Sequence, residues 1–150
     1  MATPAPSSAI DSCEYLYVRE IREIDAQTLY MLIEEGRAAA ESETLALGST
    51  QITGVHPIRA TGRFFELSWK HYIAYCVRNE SYCGVTNGEE IASGEKFRIY
   101  AKSHFLDFIS RATFATNEYP GPFRHYCVLS ENHVVDIVSV DAPQIREQHR

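Results

Sequence analysis

Residues 64–79 read FFELSWKHYIAYCVRN, sixteen residues in which apolar character alternates with period two and no Gly or Pro intervenes. Odd positions carry Phe65, Leu67, Trp69, His71, Ile73, Tyr75 and Val77, and even positions carry Glu66, Ser68, Lys70, Tyr72 and Arg78. The pattern predicts a strand with one buried face. At ~3.3 Å per residue a straight strand of this length would reach roughly 53 Å, whereas a compact chain of this size is about 40 Å across. The strand cannot run straight. A corner is expected near residues 68–71, by a bulge that keeps the parity or a break that resets it, and a strongly curved antiparallel sheet follows.

His71 stands in the middle of the apolar row and needs a partner. One reading is a core imidazole bonded to a carbonyl or a Tyr hydroxyl; the other is a general base lining a concave pocket.

With 150 residues the chain is long enough for one domain with a real core and too short for two. The division expected is a flexible Ala/Pro/Ser-rich lead over 1–12, a single domain over 13–145 and a charged tail over 146–150. The start MATPAPSSAIDS has neither the basic nor the apolar region of a secretory signal, and no stretch has the apolar length needed to span a bilayer, so a cytoplasmic location without membrane is expected. Cys13, Cys76, Cys83 and Cys127 form no CxxC pair and read as reduced thiols, with no metal site and no cofactor.

The net charge of −6 is uneven: residues 1–60 hold nine acidic and four basic residues, residues 61–150 eleven and ten. Such a balance argues against general nucleic-acid binding, which needs a basic footprint.

Residues 14–23 read either as a short strand or as the approach to a helix. Asp25 then stands as an N-cap with Ile24 stapled to Leu29, and Leu29, Leu32, Ile33, Gly36 and Ala40 follow at helical spacing. An acidic amphipathic helix is expected, with Glu34, Glu35 and Glu41 on its solvated face as a surface for a protein partner. Residues 49–62 are expected to form a loop.

Asn87-Gly88 is a hairpin signal that would pair the long strand with residues 96–102, unless a bulge at Gly84 or Gly94 shifts the register or the segment is a longer flap. Phe97, Ile99 and Ala101 are expected inward. Ser103 then caps a second helix with Phe105, Phe108, Ile109 and Ala112 buried. The final hairpin joins residues 125–129 to 134–140, with Cys127 opposite Asp136 and His125 diagonal to it. The last strand, apolar on both faces, is expected inside the sheet.

The fold class expected is α+β: a strongly curved, partly barrel-like antiparallel sheet of about four to six strands with two amphipathic helices packed on it. No P-loop, GxGxxG, HExxH or GxSxG pattern is present. Three functions remain. The first is a non-catalytic module that binds a protein partner, as an inhibitor, immunity or adaptor protein does. The second is a small cofactor-independent isomerase, cyclase or lyase with His71, Tyr75, His125 and Asp136 around one pocket. The third uses the basic and aromatic row Lys70, Tyr72, Arg78, Arg98 and Tyr100 to hold a small anionic ligand or a single nucleic-acid strand. Catalysis by Cys127 is disfavoured, because a carboxylate beside a thiol opposes the thiolate.

Overall fold

The computed structural model describes residues 5–150, so residues 1–4 of the expected lead lie outside the described residues. The chain runs α1 (Pro6–Asp11), β1 (Tyr15–Asp25), β2 (Thr28–Ala38), β3 (Glu43–Leu47), β4 (Thr50–Val55), β5 (Ile58–Lys70), β6 (Tyr72–Asn79), β7 (Glu90–Ser93), β8 (Phe97–Lys102), α2 (His104–Ala112), β9 (Arg124–Leu129), β10 (His133–Ser139) and β11 (Gln144–His149). Antiparallel strands dominate. They form a four-stranded sheet in the order β1-β2-β5-β11, a five-stranded sheet in the order β6-β10-β9-β8-β7, and a separate two-stranded arm, β3-β4. One core joins the two larger sheets. Leu16, Leu29, Met31, Ile33, Phe65, Leu67 and Trp69 come from the first; Phe97, Tyr126, Val128, Val135 and Ile137 come from the second.

The expected corner falls at His71. It is the one non-glycine with positive φ among the described residues, at 53°, and its N–H donates to the Gln27 carbonyl at 2.7 Å. Here the chain leaves one sheet and enters the other, so the long alternation belongs to two strands that share a core between them. Phe65, Leu67 and Trp69 are buried before the corner, and Tyr75 packs on the same core after it. His71 itself is exposed. The expected single curved sheet is thus divided between two sheets that share one core, and among the described residues neither closes into a barrel.

The first amphipathic helix is also corrected, because residues 28–38 are a strand between β1 and β5. Leu29, Leu32 and Ile33 fit a helical stripe, but Leu29, Met31 and Ile33 fit a strand equally well, and Met31 is fully buried. Asp25 does cap, though a turn: its Oδ1 accepts from the Gln27 N–H at 2.9 Å and its Oδ2 from the Thr28 hydroxyl at 3.1 Å. Those bonds lower its carboxyl and close the β1–β2 hairpin instead of opening a helix. At the far end of β2, opposite Tyr15, Gly36 permits a close approach, since a Cβ would meet the Ile58 side chain at 2.8 Å and the Tyr17 ring at 2.9 Å.

Within the expected lead, residues 6–11 are helical and Ile10 is fully buried. The Asp11 Oδ1 accepts the N–H groups of Glu95, Lys96 and Phe97 at 3.1, 2.8 and 2.8 Å, pinning the β7–β8 turn. Residues 146–149, expected as tail, pair with β5. Residues 50–55 and 58–62, expected as loop, are extended in β4 and β5.

Asn87-Gly88 closes no hairpin between β6 and β8, because β6 pairs with β10 and β8 with β9. Residues 80–89 instead connect β6 to β7, the two opposite edges of the five-stranded sheet, as the longer flap had it. The second helix is present where expected, with the Ser103 Oγ accepting from the Leu106 N–H at 3.0 Å. Of its stripe Ile109 is buried and Phe105 half-buried, while Phe108 and Ala112 are exposed. The final hairpin has the expected register, with Asp136 opposite Cys127, and β10 lies inside its sheet.

Candidate functional site

The alternation of β6, β8, β9 and β10 puts Tyr75, Phe97, Tyr126, Val135 and Ile137 on the core face of the five-stranded sheet. Arg78, Arg98, Tyr100, His125, Cys127 and Asp136 go to its other face. Helix α2 covers one end of that outer face. Phe105 meets the His125 ring edge-on at 5.4 Å and Tyr100 stacks on it at 4.6 Å.

A continuous polar chain crosses this face. His125 Nδ1 lies 2.7 Å from the Ser103 Oγ, and its Nε2 lies 2.8 Å from the Asp136 Oδ1. The Asp136 Oδ2 accepts from Arg78 Nε at 3.1 Å and pairs with its Nη2 at 3.0 Å. Ser103, His125 and Asp136 are almost wholly buried, at 1%, 2% and 4% exposure. All three are satisfied when the Ser103 hydroxyl donates to Nδ1 and Nε2–H donates to Asp136. Burial opposes charge on Asp136, but the His125 hydrogen bond and the Arg78 guanidinium outweigh it and hold the carboxyl below its ordinary range. Cys127 is fully buried, and burial together with Asp136 pushes its thiol far up. No thiolate forms there near neutral pH.

The four residues of the enzyme alternative do not converge. His71 is at the exposed corner with its Nδ1 2.6 Å from Gln27 Oε1, Tyr75 packs on the core face, and His125 and Asp136 are sealed under the opposite face. Ser103, although next to an imidazole that meets a carboxylate, is a buried helix cap with no approach for a substrate.

Beside the sealed chain the outer face opens into a cavity of ≈ 540 Å³, roofed by the strap of residues 80–89. Leu129 and Val134 supply its apolar floor, with half-exposed Ile91 at the rim, and Arg78, Lys96, Arg98 and Tyr100 supply its basic and aromatic side. Three of the five residues expected to hold an anion thus line one space. Lys70 and Tyr72 do not: Lys70 is exposed at the His71 corner, and Tyr72 packs on the core with its hydroxyl donating to Glu23, which pushes it up to about 12.

Arg78 is committed to Asp136, whereas Lys96 and Arg98 have no carboxylate partner among the described residues; the Arg98 Nε donates to the Glu95 carbonyl at 2.7 Å. Glu80, Glu89 and Glu131 also reach the cavity, and Glu89 is occupied by the Thr86 hydroxyl and the His104 N–H. The strap is held at its start by the Glu80 N–H donating to the Asn132 carbonyl at 3.3 Å and at its end by His104, whose Nε2 lies 2.8 Å from the Asn87 carbonyl oxygen and whose N–H donates to Glu89 at 3.2 Å.

The acidic partner surface has a different character from the one expected. Glu34 and Glu35 are buried at 7% and 2% exposure, Glu34 pairing with Arg19 at 2.6 Å and Glu35 with Arg37 at 3.1 Å and Arg63 at 3.8 Å. Glu41 alone is exposed, in the β2–β3 connection. Sequence reasoning missed Lys96 as a cavity residue and Ser103 as the partner of His125. No local signal marks either, because each contact joins segments far apart in the chain.

Among the described residues no group of three or more His, Cys, Asp or Glu is placed to hold a metal ion, and no helix is long and apolar enough to cross a membrane. Compared with models of known families, with curated proteins and with solved structures, the chain has no significant match.

Proposed function

We propose that this chain is a non-catalytic binding module whose strapped cavity takes a small amphipathic molecule bearing a carboxylate or phosphate group. The observation that carries the reading is the meeting of Lys96 and Arg98, two cations without carboxylate partners among the described residues, at the polar side of a cavity with an apolar floor. An anion there gains charge-assisted hydrogen bonds from a guanidinium and an ammonium, while Leu129 and Val134 take its apolar part. Glu80 and Glu131 at the same cavity disfavour a polyanion, so a ligand of low net charge fits better than a nucleic-acid strand. The reading is non-catalytic because the imidazole and carboxylate suited to proton transfer are spent on each other beneath the cavity wall.

Isothermal titration of the protein with a panel of small aliphatic and aromatic carboxylates and phosphate monoesters tests this. Binding by at least one member, weakened about tenfold or more in Arg98→Ala, is expected, since a hydrogen bond to a charged group contributes ~1.5–3 kcal/mol. A panel that fails to bind, or binds the variant equally well, removes the reading. Salt-sensitive binding of a single-stranded oligonucleotide in its place would favour the nucleic-acid alternative.

A further inference from the structure

A second cleft, separate from the strapped cavity, opens beside α1, which packs against both β8 and β11. Its volume is ≈ 250 Å³, and Phe97 and Ile99 of β8, Pro143 and Ile145 give it apolar walls. Its polar equipment is Tyr126 and Arg124. Two residues apart on β9, they share the face of the strand that is turned to the core. Tyr126 is 2% exposed, yet its hydroxyl has no hydrogen-bond partner among the described residues. Buried hydroxyls ordinarily have one. Burial raises this phenol, so it keeps its proton at neutral pH and has that proton to donate. Arg124 is exposed and pairs with no carboxylate among the described residues. A buried donor without an acceptor and a cation without an anion thus stand together at an apolar slot.

We propose that this cleft binds a small monocarboxylate with a compact aliphatic or aromatic body, the carboxylate accepting from the Tyr126 hydroxyl and the Arg124 guanidinium and the body seated among Phe97, Ile99 and Ile145. Three features select the class. A guanidinium only donates and the phenol has its proton to give, so the group that meets both must accept, and an anion does so most strongly. The volume lies below the ~300–1,000 Å³ of sites that take drug-sized ligands, so the body is short. Asp141 is the other charge close to the Tyr126 hydroxyl. It opposes a dianion more than a monoanion, and a carboxylate therefore fits better than a phosphate monoester.

Titration of the full chain, methyl-labelled at isoleucine, with isovalerate and with benzoate, followed by NMR, tests this. At least one of the two acids is expected to shift the Ile99 and Ile145 methyl signals saturably, and Tyr126→Phe to weaken that binding about tenfold or more. The variant keeps the ring and removes a hydroxyl without a partner, so its thermal unfolding should match or exceed that of the wild type. Arg124→Gln, at an exposed position, should weaken the same binding. Arg98→Ala, which impairs only the strapped cavity, should leave it unchanged, so failure at one site is distinguishable from failure at the other. Neither acid shifting Ile99 and Ile145, shifts confined to Ile91, equal binding of the neutral amides isovaleramide and benzamide, or a Tyr126→Phe variant that binds as the wild type does would each overturn the proposal.

Discussion

His125 Nε2 meets Asp136 Oδ1 at 2.8 Å on neighbouring strands, two residues out of direct register. With β9 and β10 paired so that Asp136 faces Cys127, the imidazole reaches Asp136 diagonally, and its other nitrogen is free for Ser103. Helix cap, imidazole, carboxylate and guanidinium thus form one chain from α2 to the cavity wall.

Removing His125 leaves a buried carboxylate with only the half-exposed Arg78 to balance it. His125→Ala is therefore expected to lose about 3 kcal/mol in urea unfolding, and Ser103→Ala less, because His125 keeps Asp136. The pH dependence has a definite sign. The Asp136 carboxyl is lower when folded than its ordinary value of 3.8, so the unfolded state binds more protons in that window. The stability it contributes is complete above the ordinary carboxylate range and lost as pH falls through the lowered folded value. Asp136→Asn should flatten this part of the acid limb; an unchanged limb would show that other carboxylates set it.

The four thiols should fall into two classes. Burial raises Cys13 to about 11 and, with Asp136, pushes Cys127 higher, and both side chains are sealed, whereas Cys76 and Cys83 are half-buried. Native titration with a thiol-reactive disulfide, read by peptide mass spectrometry, is expected to label Cys83 and Cys76 first. Labelling of Cys127 at a comparable rate would contradict the sealed outer face.

Gly94 has φ +82°, and a Cβ there would meet the Phe97 carbonyl oxygen at 1.9 Å. Gly94→Ala is expected to cost about 1–3 kcal/mol in chemical denaturation. Gly84→Ala, in the strap with nothing within 4 Å, is the control and should be nearly neutral. Equal effects at the two positions would contradict the tight β7–β8 turn.

Asp11 serves three amides of that same turn, so Asp11→Ala should raise hydrogen exchange at Lys96 and Phe97 and cost about 2 kcal/mol or more. Deleting residues 1–12 should cost more still, because it also removes buried Ile10. A truncated chain as stable as the whole would return these residues to the status of a loose lead.

The legible parts of the sequence were those whose signal is local or whose alternatives differ in length. The corner at His71 followed from a strand too long for the molecule, the α2 cap from Ser103, and the β9–β10 register from a short connection. The helix expected over residues 25–40 failed because Leu29, Leu32 and Ile33 satisfy both periods. Pairing with β5, some thirty residues on, decided between them. Glu34 and Glu35 read as solvated for the same reason; Arg19 and Arg63 make their burial tolerable, and no spacing rule connects those residues.

By itself, then, the sequence determined period-two alternation, a forced corner and the placement of His125 diagonal to Asp136 across one hairpin. Only the tertiary structure decided that the long alternation is shared by two sheets and that the strap crosses from one sheet edge to the other. It alone brought Lys96, Arg98 and Arg78 to one cavity and left the β3-β4 arm bare. The physical reason is range. Alternation and turn chemistry act over a few residues, whereas strand order, buried ion pairs and cavities depend on contacts between distant segments, which are settled by burying the whole core at once.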